Sequence, residues 1–552
     1  MNHTNKEESK LQHGDSNSSE QPEPLFAESI HSSKLQNEQD TEVLETQLSR
    51  VATADMEKRP KVFKSDAQEL LCIMTLTFAP ACVSMAMGAY TISINDTIDD
   101  LNIKGSLSTW LVGSISLANG ATLILMGSLA DSLGRRNCIL LGYFAYAMFS
   151  LIGGFMQSLV SLCVLRALSG VLISLALTSS FGFVGATYVE GSKRKNKFNA
   201  IISAGNPLGN VVGNICGAIC VQFVGSWRDC HYFYAIVYTL LTVLAWYSVP
   251  NDKEFNWEDL KKTLKELDYV GGLLSLAGFG LICFSLTQVD VTKKRWHTPY
   301  IIALLVVGIV LVIAMLLWES YIPKRPLIPM RIWKNKNFTL CAIIMFFDWV
   351  AFTGMFTYYT VLYLEQILKN SPILTAAKML PMFIVGFSTN VVAAFILHRI
   401  SGKIIMMIGC SGFLGCMIIW ATLSIHRSYW LGIFFSASLT VIGADLVWNV
   451  SSLVSYASVS KDLQSSASGL LNMLIQLAGV IGLAISSAIV SGTNSDYGTD
   501  RQYDDLNKLF KSYRNTFYAA IVFTAIPLIS CLFLDVGKFK RDTKKEAVED
   551  QA

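Results

Sequence analysis

An all-α integral membrane chain with about fourteen spans is predicted by three features of the sequence. Hydrophobic residues make up 52% of the 552 residues and charged residues only 15%, against roughly 25% charged in a soluble chain. Mean hydropathy is +0.43. Beyond residue 66 the apolar residues come in blocks about 20 long, each close to one bilayer thickness as a helix. Fourteen such blocks exceed what a soluble core could cover.

The first 66 residues are polar and rich in Ser, Asn, Gln and Glu. They cannot bury enough apolar surface to fold and are expected to form a disordered tail. The hydrophilic N-terminus predicts no cleavable signal peptide, so the first apolar block serves as the insertion signal. Spans are expected at 68–94, 106–128, 137–156, 158–188, 198–222, 230–249, 269–288, 299–320, 338–364, 372–397, 403–424, 429–455, 464–490 and 514–535. With the N-terminus inside, the inner loops hold eighteen Lys and Arg and the outer loops eleven. This bias places both termini in the cytoplasm. Asn95-Asp96-Thr97 is then an N-glycosylation sequon in the first outer loop. Residues 252–267 have a helical apolar period and read either as a helix on the inner membrane surface or as a solvated linker helix. Residues 129–142 can be laid on 397–410, with Gly134-Arg135 on Gly402-Lys403. Read as a repeat rather than as chance, this predicts two related halves joined by an insertion.

Several function classes are excluded. The net charge of +3 and the lack of a basic stripe with interleaved aromatics exclude a nucleic-acid partner. The twelve Cys are scattered, without CxxC or metal-ligand spacing, and read as small buried hydrophobes. No Walker A pattern marks an ATP-driven pump. No catalytic residue, metal or organic cofactor is expected.

Three motifs carry candidate mechanism. Gly127, Asp131, Gly134, Arg135 and Arg136 fall between the second and third spans. The glycines permit a tight turn, and Asp131 and Arg135, four apart, can pair. The loop is either a charged latch between two rocking bundles or a positive-inside loop that fixes topology. In the fourth span, Arg166 lies about one-third of the way in, four residues before Gly170. An arginine there is costly and is a functional candidate, unless it snorkels to the interface. In the fifth span, Gly205, Gly209, Gly213 and Gly217 are four apart on one face, with Pro207 beside them. Such a face admits another helix closely, for sliding or for static packing, and Pro207 allows a bend.

These stretches resemble a known family. The loop at 127–136 is similar to the GxLaDrxGrk signature of the major facilitator superfamily. Arg166 and Gly170 match its R-x-x-q-G element, with Ser169 in place of glutamine. The glycine face resembles the antiporter motif gxxxGPxxGG, with Asn206 and Asn210 where glycines are usual. Trp227-Arg228, the stretch Asp268 to Gly271, Pro326 with Asn337-Phe338, and Tyr513-Arg514 extend the resemblance to the fungal fourteen-span drug:H+ antiporters. Within these it is nearest the aminotriazole and boron resistance exporters and low-affinity ammonium transporters. The resemblance implies a major facilitator fold: a six-helix bundle over 67–250, a linker with two inserted central helices over 251–322, a second six-helix bundle over 323–536, and cytoplasmic tails at 1–66 and 537–552.

One departure bears on coupling. Many fourteen-span members carry an Asp in the first span, but here Ser84 to Asn95 holds no acid. Proton handling then falls to another carboxylate. Asp445 in the twelfth span and Asp348 in the ninth are the candidates, each otherwise a structural hydrogen-bonding group. Glu319, Glu365 and Asp290 lie nearer the interface, where a structural role is favoured. The aromatics Trp349, Phe352, Phe356, Tyr358, Tyr359 and Tyr363 of the ninth span either line a substrate cavity or form lipid-facing or core surface.

The expected function is proton-coupled export of a small toxic compound by a monomer in the plasma membrane, the vacuolar membrane being the alternative. Arg166, Asp445 and Asp348 would handle charge, Gly127, Asp131, Gly134, Arg135 and Arg136 the latch, and Gly170, Gly205, Pro207, Gly209 and Gly213 the helix packing. Its partners are then a small-molecule substrate, protons and the lipid bilayer. Uncoupled movement of ammonium or boric acid is a second expectation, and a transporter-like sensor a third.

Overall fold

In a bilayer each backbone N–H and C=O must be satisfied within its own segment, so the apolar blocks form helices. The computed structural model describes residues 58–537, with breaks at 190–191, 253–255, 290–291, 293–294, 324–327, 329, 398, 426, 460–463, 498 and 500–502. The tails expected at 1–66 and 537–552 fall mostly outside the described residues, as do Asp290 and Pro326.

Among the described residues there is no strand, and fourteen helices are long and apolar enough to cross a membrane. They are α1 Asp66–Ile92, α2 Gly105–Leu133, α3 Arg135–Gly153, α4 Leu159–Thr187, α5 Lys193–Val224, α6 Arg228–Ser248, α7 Tyr269–Thr287, α8 Pro299–Tyr321, α9 Lys336–Ile367, α10 Pro372–Ala393, α11 Gly402–Ala421, α12 Trp430–Ser455, α13 Ser466–Thr493 and α14 Leu506–Leu532. Each overlaps the span expected for it.

Helices α1–α6 pack among themselves and α9–α14 do likewise, while α7 and α8 pair with each other. The pair attaches through α7, which packs on α2 and α13. Its outer member α8 buries only 17% of its apolar window, against 72% for α2, so α8 is turned to lipid and α2 is central. The helix Trp257–Glu266 within the expected 252–267 stretch docks on the end of α2, where the hydroxyls of Ser132 and Thr263 are 2.5 Å apart. Leu260 faces inward while Trp257 is exposed.

Glycine sets two features of this packing. Gly134 turns the chain between α2 and α3 at φ 86°, a left-handed conformation that a side chain would strain. In α5, a Cβ on Gly205, Gly209, Gly213 or Gly217 would overlap the backbone of Thr77, Ala81, Met85 or Ala89 in turn. The face is therefore closed on α1 of its own half. Helical hydrogen bonding in α5 is interrupted at Ala204, three residues before Pro207, whose ring lacks the donor that would reach back to Ser203. Helix α9 contains two π-helical stretches, Phe352–Thr357 and Tyr363–Ile367. Such stretches are rare and mark local departures from regular packing.

Candidate functional site

The end of the molecule bearing Arg135 and Lys195 is inner by the charge bias. Arg135 lies against Gly182 of α4, and Lys195 Nζ reaches the Gly185 carbonyl at 3.2 Å. The 131–136 loop and the 193–197 stretch thus share one end.

At the opposite end the two halves close on each other. Asn95 Nδ2 donates to Glu365 Oε2 at 2.7 Å, and Gln366 Nε2 donates to Asn95 Oδ1 at 2.6 Å. Tyr513 OH donates to Gln366 Oε1 at 2.5 Å. Beside this chain Ser108 and Tyr358 share a 3.1 Å bond, and Ser106 Oγ donates to the Ser487 carbonyl at 3.5 Å. Glu365 is buried, and its Oε1 has no hydrogen-bond partner. One hydrophobic cluster joins Tyr90, Ile92, Leu111 and Trp227 of the first half to Tyr358, Tyr363 and Phe510 of the second.

The inner ends are packed separately. Cys72, Ile73, Phe183 and Ile202 belong to a cluster made only of first-half residues. Phe338, Ile405, Met406 and Val450 belong to another, which among the described residues reaches the first half along α2, at Leu117 and Leu125 and at the partly buried Trp110, Ile124 and Met126. Between these ends runs the seam of α2 and α13, where Gln476 Nε2 donates to Asn119 Oδ1 at 3.0 Å. A Cβ on Gly120 would lie 3.0 Å from Gln476 Cβ.

The sequon expectation is corrected here. The Asn95 nitrogen that would carry a glycan is engaged by Glu365, and Thr97 is fully buried with its hydroxyl on the Ser93 carbonyl at 2.8 Å. Glu365, expected near the interface in a structural role, is buried with its carboxylate between the halves.

Arg166 does not snorkel. It is 5% exposed, and its guanidinium lies 3.7 Å above the Tyr90 ring, a cation–π contact. Tyr90 OH in turn bonds His231 Nε2. Gly170 lets α4 touch the backbone of α2 at Ile115, so both residues of this motif act inside the first half.

The inner latch residues form a network. Asp131 Oδ1 accepts from Arg135 Nη2 at 2.9 Å. The backbone N–H groups of Arg135 and Arg136 reach Asp252 at 3.0 and 3.3 Å, at the start of the α3 helix, where an acid complements the helix dipole. Arg136 donates to the Trp246 carbonyl at 2.7 Å and lies over its ring. Gly127 faces Thr178 of α4. All these contacts are within the first half and the linker that leaves it. A second ion pair joins residues distant in sequence and without a local motif: buried Glu69 accepts from Arg194 through both oxygens and from Tyr188 OH at 2.7 Å. Burial first, then that hydrogen bond, holds the Tyr188 phenol above its ordinary value, so it stays a donor.

In the second half, Asp348 is fully buried among α9, α11 and α14. Cys410 Sγ lies 3.5 Å from its Oδ2, and its Oδ1 has no partner. Asp445 is half-buried on α12 facing α10. Gly386 leaves room for its Oδ2, since a Cβ there would stand 3.0 Å away, and Oδ2 has no partner. Asn449 Nδ2 bridges to the exposed Asn390 at 2.9 Å. Arg166, Asp348 and Asp445 are thus in three separate places. Of the α9 aromatics, Phe356, Tyr358, Tyr359 and Tyr363 are buried against Trp420 and Tyr513, forming core, while Trp349 and Phe352 are only partly buried.

The model of the Major Facilitator Superfamily matches residues 76–483. The chain belongs to this superfamily. This major facilitator is 24% identical to the aminotriazole resistance protein of Saccharomyces cerevisiae, over 89% of its own length and 89% of the relative's. It is 26% identical to the low affinity ammonium transporter of the same yeast, over 80% and 83%. A solved mutant of the peptide transporter POT in complex with sulfate superposes at a TM-score of 0.61 and 13% identity, covering 88% of this chain and 98% of that one. This major facilitator is a multi-pass membrane transporter, and the likeness to POT is one of fold.

Proposed function

We propose that this transporter exports a small toxic compound across the plasma membrane in exchange for protons. The observation that carries the reading is the asymmetry of the ends. The outer ends share one hydrophobic cluster and a carboxylate–carboxamide chain, while toward the inner ends each half has its own cluster and the second half's meets the first along α2. That is the arrangement of a transporter open to the cytoplasm, ready to load there. Glu365 is buried when the outer end is shut and meets solvent when it opens, which couples its protonation to the movement. Asp445, beside exposed Asn390, is the second proton carrier; Asp348 is sealed among helices of one bundle and serves less directly. Asp131, Arg135 and Arg136, at the turn made by Gly134, hold the inner end of the first half together as it rocks, and Gly127, within α2 and not in the turn, packs on α4. Gly205, Pro207, Gly209 and Gly213, with Gly170, keep that half moving as one body. The aminotriazole resistance relative supports the export reading.

Uncoupled movement of ammonium or boric acid is the second reading. The acid-free stretch from Ser84 to Asn95 and the low affinity ammonium transporter relative favour it. The two part in vesicles holding the purified chain, assayed for export of aminotriazole, boric acid and an ammonium analogue with and without an imposed pH gradient. Exchange predicts flux that rises with the gradient; indifference to it defeats exchange.

A further inference from the structure

Among the described residues no acid pairs with the charge on Arg166. A guanidinium stays protonated even when buried, and an unpaired charge inside a membrane bundle is costly. Arg166 is 95% buried by its 5% exposure, and its Nε and Nη2 make no hydrogen bond. Tyr90 covers one face of the group, and its hydroxyl bonds His231. The edge of the guanidinium opens on a cavity walled by Tyr146, Ser150, Ser169, His231 and Tyr234, with no Asp or Glu in its lining. Ser169 and Tyr234 already spend their hydroxyl hydrogens on the Leu165 and Met85 carbonyls, at 2.8 and 3.1 Å. The cavity has room for about one or two water-sized bodies, too little for an organic anion.

We propose that this cavity binds one small monovalent inorganic anion, of halide size, against Nε and Nη2 of Arg166. The ion supplies the missing negative charge. It also ties together α4, which bears Arg166, α3, which bears Ser150, and α6, which bears His231. The first half is then stiffened at its outer end, and the anion stays bound through the transport cycle rather than being carried.

The test uses the full-length purified chain in detergent. Chloride is replaced by gluconate at constant ionic strength, and the unfolding temperature is followed as sodium chloride or sodium bromide is titrated back. A saturable rise in Tm of about 2 °C or more is expected, and Arg166→Gln should abolish it. Crystals grown in bromide should show anomalous scattering within hydrogen-bond distance of the guanidinium, a measurement that needs no variant and decides the matter should Arg166→Gln not fold. A wild-type Tm that ignores the exchange of anion, an Arg166→Gln chain that keeps the full shift, or a cavity without bromide would each overturn the site. None of these readouts depends on which compound is transported.

Discussion

The two halves of this transporter carry opposite unpaired charges. The first buries a cation, Arg166, in a cavity without an acid; the second holds Asp348, Asp445 and Glu365, none paired with a Lys or Arg among the described residues. If the halves existed to neutralise each other, these groups would meet at the interface. Only Glu365 reaches it, and its partners there are the amides of Asn95 and, through Asn95, Gln366. On the readings proposed above, neutrality is supplied from outside the chain. Mobile protons can discharge the acids of the second half, whereas an arginine cannot shed its proton and needs an ion.

The comparison is broken most severely by destroying the first half as a body. Gly213→Leu drives a side chain into the Met85 backbone and should cost about 3 kcal/mol or more, read as loss of the monodisperse peak in size exclusion of the detergent-solubilised chain. Gly185→Ala, with nothing within 4 Å, should leave that peak intact, within about 0.5 kcal/mol. A leucine tolerated at 213 would mean that α1 and α5 part readily.

Glu365→Gln comes next, because it removes the acid at the interface while keeping its shape. Gradient-driven export should fall about tenfold or more, the equivalent of one charged hydrogen bond, with counterflow at equal pH largely preserved. Export that responds to the gradient as in wild type would move the coupling elsewhere in the second half. Asp445→Asn is expected to reduce the same response by less. Asp348→Asn should leave transport within about twofold and keep or raise Tm, because it removes a sealed carboxyl without changing the packing.

What could be read from the sequence follows distance along the chain. Spans announce themselves by local hydropathy, the turn at Gly134 by a glycine between charges, and the Asp131–Arg135 pair by a four-residue spacing. Asn95 and Glu365 are 270 residues apart and Glu69 and Arg194 are 125 apart. Each polar residue taken alone looks like an ordinary group at a span end, and nothing local says that the ends meet. The α9 aromatics were ambiguous for a related reason: a broad aromatic face is equally suited to lipid, ligand or core until its neighbours Trp420 and Tyr513 are placed beside it.

The smaller effects sharpen the comparison. Gln476→Leu deletes the hydrogen bond to Asn119 across the α2–α13 seam and strands a buried amide oxygen, so about 1–3 kcal/mol of stability should be lost in thermal unfolding. The loss should be smaller if that seam opens and shuts freely.

The smallest effect expected is none at all. The sequon at Asn95 satisfies the local rule for glycosylation, yet its nitrogen is held by Glu365 and Thr97 is buried. Expressed in a glycosylating host, the chain should migrate identically before and after endoglycosidase treatment. A mobility shift abolished by Asn95→Gln would show that Asn95 is free of Glu365 while the outer loop is exposed to the transferase. The closed outer end would then be one state among several during maturation, and the carboxylate of the second half would face the interface without the first half to bind it.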